Sequence, residues 1–341
     1  MAMERRNFLQ LLAGAAAVGP LAGNAAGASD SLGAVLPLRT LGRSGVKVTC
    51  LGLGGYHIGW TSEPLAQATI EAALQEGVRF FDTAESYGPH TSEERYGRFL
   101  TPSYRNRIFL MSKSTAKTAA MAQEHLEGSL RRLRTDVIDL WQIHALDSEQ
   151  DVDARLEAKV LEYALRARAE GKIRFIGFTG HKSPYAHRRM LERTAGAPDP
   201  FVACQFPINP VDVASEHSFV ASVLPAAEQR GLGILAMKTL ADGRFFGSKT
   251  VGARTVWTAQ NPVVPDAVSL ADCIHFVLSL PVSVLITGAE KPEFIREKAA
   301  FVRSFGSFSV AQRKDLVARV ARFAGDGRVE YYKGKELRKP A

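Results

Sequence analysis

The sequence predicts an α/β protein, a closed (β/α)8 barrel of the TIM type forming a single domain over residues 29–341. Three observations point there. From about residue 46, short apolar runs of strand length alternate with amphipathic runs of helix length. The pair recurs eight times, and no break in the series marks a reversal of strand order, which favours a closed ring over an open doubly wound sheet. At 341 residues, 46% apolar and 23% charged, the chain is long enough to bury a large core.

The first unit is VKVTCLGLG (46–54) followed by a helix over 62–77, where Ser62 is placed to cap, Pro64 fits the first turn and Gly77 ends the helix. RFFDT (79–83) precedes a helix at Ser92–Leu100, RIFLMSK (107–113) one at Thr118–Leu133, and DVIDLWQIH (136–144) one at Val152–Ala169. The remaining strands are KIRFIGF (172–178), FVACQF (201–206), LGILAM (232–237) and VSVLIT (282–287), with a helix expected after each and the last at Pro292–Phe301. LPLRTLGRSGVKV (36–48) reads as a hairpin across the barrel floor, turning near Arg43–Gly45. The stretch 243–266 is longer than a routine connection and is a candidate pocket wall. The glycines at 52, 54, 55 and 59 do not satisfy GxGxxG, and the predicted helix does not begin on the last of them, so a dinucleotide-binding turn is disfavoured.

Ahead of the barrel, residues 1–28 have a short charged start, an Ala- and Gly-rich apolar run and a small-residue Ala26-Gly27-Ala28 end. This is the pattern of a signal peptide, too short and too Gly-rich for a stable membrane span. Arg5-Arg6 before Asn7-Phe8-Leu9-Gln10 resembles a twin-arginine signal, which implies the twin-arginine export machinery as a partner and a periplasmic or exported destination. A signal that does not function would leave the protein cytoplasmic. The net charge of +8 is spread along the chain, with no basic run or zinc pattern, so nucleic acid is not the expected partner. Cys50, Cys204 and Cys273 stand apart in apolar surroundings and read as buried hydrophobes; no metal is expected.

In such a barrel the active site lies at the carboxyl ends of the strands. Those ends carry Asp82, Lys113, His144, Thr179 with His181, and Gln205, with Tyr87 on the loop just beyond Asp82. A phenol is a poor proton donor-acceptor at neutral pH unless a cation favours its anion. Lys113 can supply that cation, Asp82 can hold the ammonium, and His144 can hydrogen-bond a carbonyl oxygen beside the phenol. This set protonates an oxygen but has no hydride to give, so reduction would need a nicotinamide cofactor.

From LGRSGVKVTCLGLGGYHIG through FFDTAESYG, SKS, DLWQIH and GKIRFIGFTGH to LITGAEKPEFIREK, the chain resembles the aldo-keto reductases. The resemblance implies a (β/α)8 barrel that binds NADP(H), less often NAD(H), without a Rossmann fold and reduces aldehydes or ketones to alcohols. It implies Tyr87 as general acid, Lys113 lowering its pKa, Asp82 paired with Lys113, and His144 orienting a small-molecule carbonyl substrate. Gln205 matches the glutamine that holds the nicotinamide carboxamide, and Gly54, Gly55 and Tyr56 match the turn beside the ring. The segment from Gly288 matches the family's adenosine-phosphate stretch, where Lys291, Arg296 and Lys298 offer charge and Glu297-Lys298 replaces the usual Glu-Asn.

Two departures stand out. Thr179-Gly180 replaces the family's Ser-Asn after strand five, and Met237 replaces the tyrosine that stacks on the nicotinamide, with Lys238 next to it in reach of a pyrophosphate. A second class is kept beside the enzyme, a cofactor-holding redox sensor or accessory subunit, because potassium-channel β subunits also resemble this family. The C-terminal extension from about residue 305 is expected to cover the pocket or coat the barrel.

Overall fold

The computed structural model describes residues 28–245, 249–251, 254–257 and 267–338. The expected signal peptide and most of the 243–266 stretch lie outside the described residues.

Eight parallel strands form one closed ring: β1 (Leu51–Gly54), β2 (Phe80–Asp82), β3 (Phe109–Ser114), β4 (Ile138–Ile143), β5 (Ile173–Thr179), β6 (Ala203–Pro207), β7 (Gly233–Met237) and β8 (Val284–Gly288). Each pairs with its neighbours in sequence, and β8 closes on β1 with Gly288 opposite Gly54. Leu41, Val48, Phe80, Phe109, Met111, Leu140, Ala203, Leu235, Val284 and Ile286 fill the interior as one cluster. Phe109 stacks between Phe80, at 5.0 Å, and Phe175, at 6.5 Å. The opposite-facing residues of the same strands join a second, larger cluster with the surrounding helices. That division follows from the two-residue period of a strand.

The hairpin was expected, and Leu38–Thr40 does pair antiparallel with Lys47–Thr49. Its turn presses Leu41 into the floor of the ring, where full burial of a leucine stabilises by about 2–3 kcal/mol. Arg39 ties the hairpin down by donating to the carbonyls of Leu278 and Val282, both at 2.6 Å.

Four boundaries differ from expectation. The run 46–54 is two strands, because Lys47–Thr49 leaves the ring to make the hairpin and only Leu51–Gly54 stays in it. A helix, α1 (Gly55–Trp60), follows β1 at once, ahead of the expected α2 (Glu63–Gln75), and Ser62 stands at the N-cap of α2 without a side-chain bond. The helix expected at 152–169 is α5 (Glu149–Glu157) and α6 (Val160–Ala169), because Lys159 takes a left-handed φ of 61° that a continuous helix excludes. After β7 the chain forms an antiparallel pair, Lys249–Val251 with Arg254–Trp257, before reaching the helix Leu270–Leu278.

Between these come α3 (Thr91–Phe99) and α4 (Ala119–Leu133), the latter capped by Thr118, and later α7 (Pro184–Arg193), capped by Ser183. The chain then adds α8 (Pro292–Arg303) and α9 (Val310–Val320), whose Ser309 and Gln312 form a capping box. Among the described residues no helix is long and apolar enough to cross a membrane, and no group of three His, Cys, Asp or Glu could hold a metal.

Candidate active site

Ring closure puts the strand ends in register. Gly288, Gly54 and Asp82 lie side by side on β8, β1 and β2, Lys113 sits opposite Gln142, and Thr179 opposite Gln205. Asp82 and Lys113 are buried there and form an ion pair. The Lys113 ammonium also donates to the Thr83 carbonyl at 2.8 Å and to Tyr87 Oη at 3.2 Å, and lies 4.6 Å from the centre of the Tyr87 ring.

Tyr87 reaches the lysine because the loop after β2 doubles back. Gly88 makes that return, with a φ of 63° and a position where a Cβ would stand 2.3 Å from the Gly59 carbonyl oxygen, so α1 packs directly on the loop. The α1 helix then contributes aromatic walls. Tyr56 packs edge-on to Tyr87 at 5.4 Å and lies 6.3 Å from Trp60, which is partly exposed. The His144 ring also meets Tyr87, at 5.8 Å and edge-on. His144 is positioned by its backbone: its N–H donates to Ser114 O at 2.8 Å, and its carbonyl accepts from Arg155 at 2.7 Å. Arg155 on α5 is itself buried and pairs with Asp151.

Burial sets the protonation states of this cluster. It draws the Lys113 ammonium down, but Asp82 and Tyr87 together push it above the ordinary lysine value, so the cation is secure. Burial raises the Tyr87 phenol and outweighs the pull of Lys113 in the opposite direction. The expected lowering by Lys113 is therefore present as one contribution, while the net direction is upward and the phenol is protonated. His144 is held well below the ordinary histidine value by burial first and then by Lys113, His181 and Arg155, which makes it a neutral imidazole. The cluster offers a protonated phenol beside a fixed cation and a neutral hydrogen-bonding ring.

The remaining expected residues fall into two groups. Around the mouth, Thr179 and Gln205 are buried, Gln205 Oε1 has no partner among the described residues, and Met237 is half-buried at the end of β7. Gly180 sits where a Cβ would come 2.5 Å from the Leu146 carbonyl, so close packing alone accounts for the loss of a side chain there. Gly55 lies against the Asp82 backbone in the same way. A partnerless buried amide oxygen, an apolar thioether and the Tyr56 wall suit a flat heteroaromatic carboxamide such as nicotinamide. At the β8 end, Lys298 is turned inward: its ammonium donates to Gly288 O at 2.6 Å, and burial brings its pKa down to about 8. Lys291, Arg296 and Glu297 face solvent, and Glu290 pairs with His57 at 3.0 Å.

Sequence reading missed Glu85, Arg155 and the C-terminal anchor. Lys333 is buried between Asp212 and Glu330, 2.7 Å from each, and Tyr332 donates to Glu330 at 2.8 Å while accepting from Asn209 at 3.0 Å. The Tyr332 ring stacks on His181 at 6.0 Å, and the Lys238 ammonium lies 5.3 Å from its centre. The C-terminal segment thus lies over the ends of β5 to β7, which its charge pattern alone did not disclose.

Fold and site together define a (β/α)8-barrel protein with a buried acid–base cluster at the carboxyl mouth. A sequence profile of the Aldo/keto reductase family matches residues 50–297, and the chain belongs to that family of oxidoreductases that use nicotinamide cofactors. L-galactose dehydrogenase of Arabidopsis thaliana is 26% identical over 221 residues, 61% of this chain and 66% of that protein. The uncharacterized oxidoreductase YrpG of Bacillus subtilis is 30% identical over 244 residues, 64% and 72% of the two chains. Aldo-keto reductase YhdN of the same organism is 31% identical over 223 residues, 61% and 63%. The chain therefore spans roughly two thirds of each relative's length. In fold, aldo-keto reductase AKR11C1 from Bacillus halodurans, a holo form, superimposes with a TM-score of 0.67 at 21% identity, covering 83% of this chain and 95% of that one. The PA4992 protein of Pseudomonas aeruginosa gives 0.59 at 22%, covering 82% and 95%.

Proposed function

We propose that the protein reduces an aldehyde or ketone to an alcohol with NADPH or NADH, Tyr87 acting as general acid. One observation carries the reading: a single buried ammonium, Lys113, bonds both Asp82 and the Tyr87 hydroxyl at the mouth of the barrel. When bound, the reduced nicotinamide supplies a hydride to the carbonyl carbon. Gln205, Thr179 and Met237 would hold its ring end, and Lys238 with the segment from Gly288 to Lys298 its phosphates. The chain supplies the proton. Neutral His144 offers an N–H to the substrate oxygen and orients it. Tyr87 gives its proton to that oxygen, and the adjacent Lys113 cation stabilises the phenolate left behind, while Asp82 keeps the lysine in place. The aromatic walls exclude water.

NADP(H) is the proposed preference, resting on exposed Lys291 and Arg296 near the N-terminal end of α8. Export before cleavage near Ala28 is proposed from the Arg5-Arg6 signal alone, and a secreted reporter carrying residues 1–28 with both arginines changed to lysine should stay inside the cell.

The central test is turnover of a panel of aldehydes and ketones with NADPH and with NADH, for the wild type and Tyr87→Phe. The variant should lose about 10²–10⁴-fold in kcat while its cofactor affinity, read by fluorescence, stays within about twofold. Undiminished reduction by Tyr87→Phe would sink the mechanism; tight cofactor binding with no turnover by the wild type would favour a sensor.

A further inference from the structure

Glu85 is the carboxylate of FFDTAESYG that the acid–base cluster leaves unused, and it is almost fully buried. It lies two residues before Tyr87. Its Oε1 accepts from both the backbone N–H and the hydroxyl of Thr115, at 2.9 and 2.6 Å, and Thr115 lies two residues after Lys113. Its Oε2 accepts from the Ser86 N–H at 2.9 Å, and its own N–H donates to the Lys113 carbonyl at 3.3 Å. One side chain thus fastens the loop carrying the phenol to the strand end carrying the ammonium.

A buried carboxylate satisfied by neutral donors is costly to desolvate, and a general packing role could be filled by apolar atoms. Here Glu85 stands two residues before Tyr87 and its donor Thr115 two residues after Lys113, the two groups whose separation matters. The Nδ1 atom of His125 on α4 lies 3.4 Å from Glu85 Oε1 and 2.9 Å from Ser114 Oγ.

We infer that Glu85 is a positioning residue for the proton-transfer step, fixing the distance between Tyr87 Oη and Lys113 Nζ by clamping their two loops together. The inference rests on the proposed role of Tyr87. Glu85 has a second consequence, because its negative charge adds to the forces that hold the phenol protonated. The other groups facing Tyr87 are Lys113, Asp82, His144, Tyr56 from α1 and Tyr96 from α3. The His90 ring meets the backbone carbonyl oxygen of Glu85 through Nδ1 at 2.7 Å, and the His90 N–H donates to the same oxygen at 3.1 Å.

The test compares full-length wild type, Glu85→Gln, Glu85→Ala and Tyr87→Phe in carbonyl reduction across pH. Glu85→Gln is nearly isosteric but keeps one acceptor oxygen in place of two, so it cannot hold Thr115 and the Ser86 N–H together; it breaks the clamp at constant volume and carries the test even where Glu85→Ala fails to fold. It is expected to lower kcat by about 10- to 100-fold with KM within about twofold, the scale of a displaced reacting group. It should also move the alkaline limb of the profile to lower pH, since removing a negative charge makes the phenolate easier to form. Support requires both changes. A kcat loss with the limb unmoved is general loosening, and a moved limb with kcat intact is charge without placement; either overturns the inference, as does no change at all. Tyr87→Phe separates the two failures: if it stays active, the reading of Tyr87 falls, whereas an inactive Tyr87→Phe beside a wild-type-like Glu85→Gln removes only the role of Glu85.

Discussion

Asp82 and Lys113 are the residues on which stability and chemistry meet. Both are buried, so removing either leaves the other's charge without a partner. Lys113→Met should abolish measurable reduction and destabilise the fold by about 3–5 kcal/mol in urea unfolding. Adding Asp82→Leu should recover most of that stability and none of the activity, because an apolar pair of similar volume avoids the desolvation cost altogether. A double variant as unstable as the single one would mean that the pair holds the barrel together rather than the site. Tyr87, Lys113 and His144 were legible from the sequence because strand ends can be located by pattern and the barrel rule brings them together. Glu85 was not: a glutamate on a loop looks like any solvated charge until the loop is seen to bury it.

At the scale of elements, α7 shows how a helix supports the site from behind. Its His187 is buried among Phe178, Phe206 and Phe219, with Nε2 3.1 Å from the Gln205 carbonyl, so it fixes the backbone of the residue proposed to hold the nicotinamide. Burial, partly offset by the carbonyl contacts, brings its pKa down to about 4. An unfolded chain therefore takes up this proton below the ordinary histidine value, near 6.5, while the folded chain does so only near 4. Stability is full above that window and falls as pH drops through it, by up to about 3 kcal/mol. His187→Gln keeps a donor and titrates nothing, so its unfolding midpoint should lose less than the wild type's between pH 6.5 and 4. Parallel curves for the two proteins would refute this. Helix boundaries were legible where a capping residue marks them, as at Thr118. The break at Lys159 was not, because a single left-handed residue leaves no compositional trace when it is not glycine.

Across the whole molecule, the C-terminal segment is held to the barrel mouth by one buried cation. Lys333→Met would strand Asp212 and Glu330 side by side without neutralisation. The expected cost of about 3–5 kcal/mol corresponds to a Tm lower by roughly 6 °C or more, with faster hydrogen exchange over 329–338. Unchanged exchange there would show that the anchor is not what holds the segment.

The sequence by itself determined the eightfold alternation, the closed barrel and the placing of Asp82, Lys113 and His144 at strand ends with Tyr87 on the loop beyond Asp82, because those depend on local periodicity and on a topology with one productive face. Tertiary structure decided the rest: that burial leaves Tyr87 protonated and His144 neutral, that Lys298 points inward, that Glu85 bridges two loops and that Lys333 ties the C-terminal segment over β5 to β7. The physical reason is that protonation and anchoring depend on what lies within a few ångströms, and the contact from Asn209 to Tyr332 joins residues 123 positions apart.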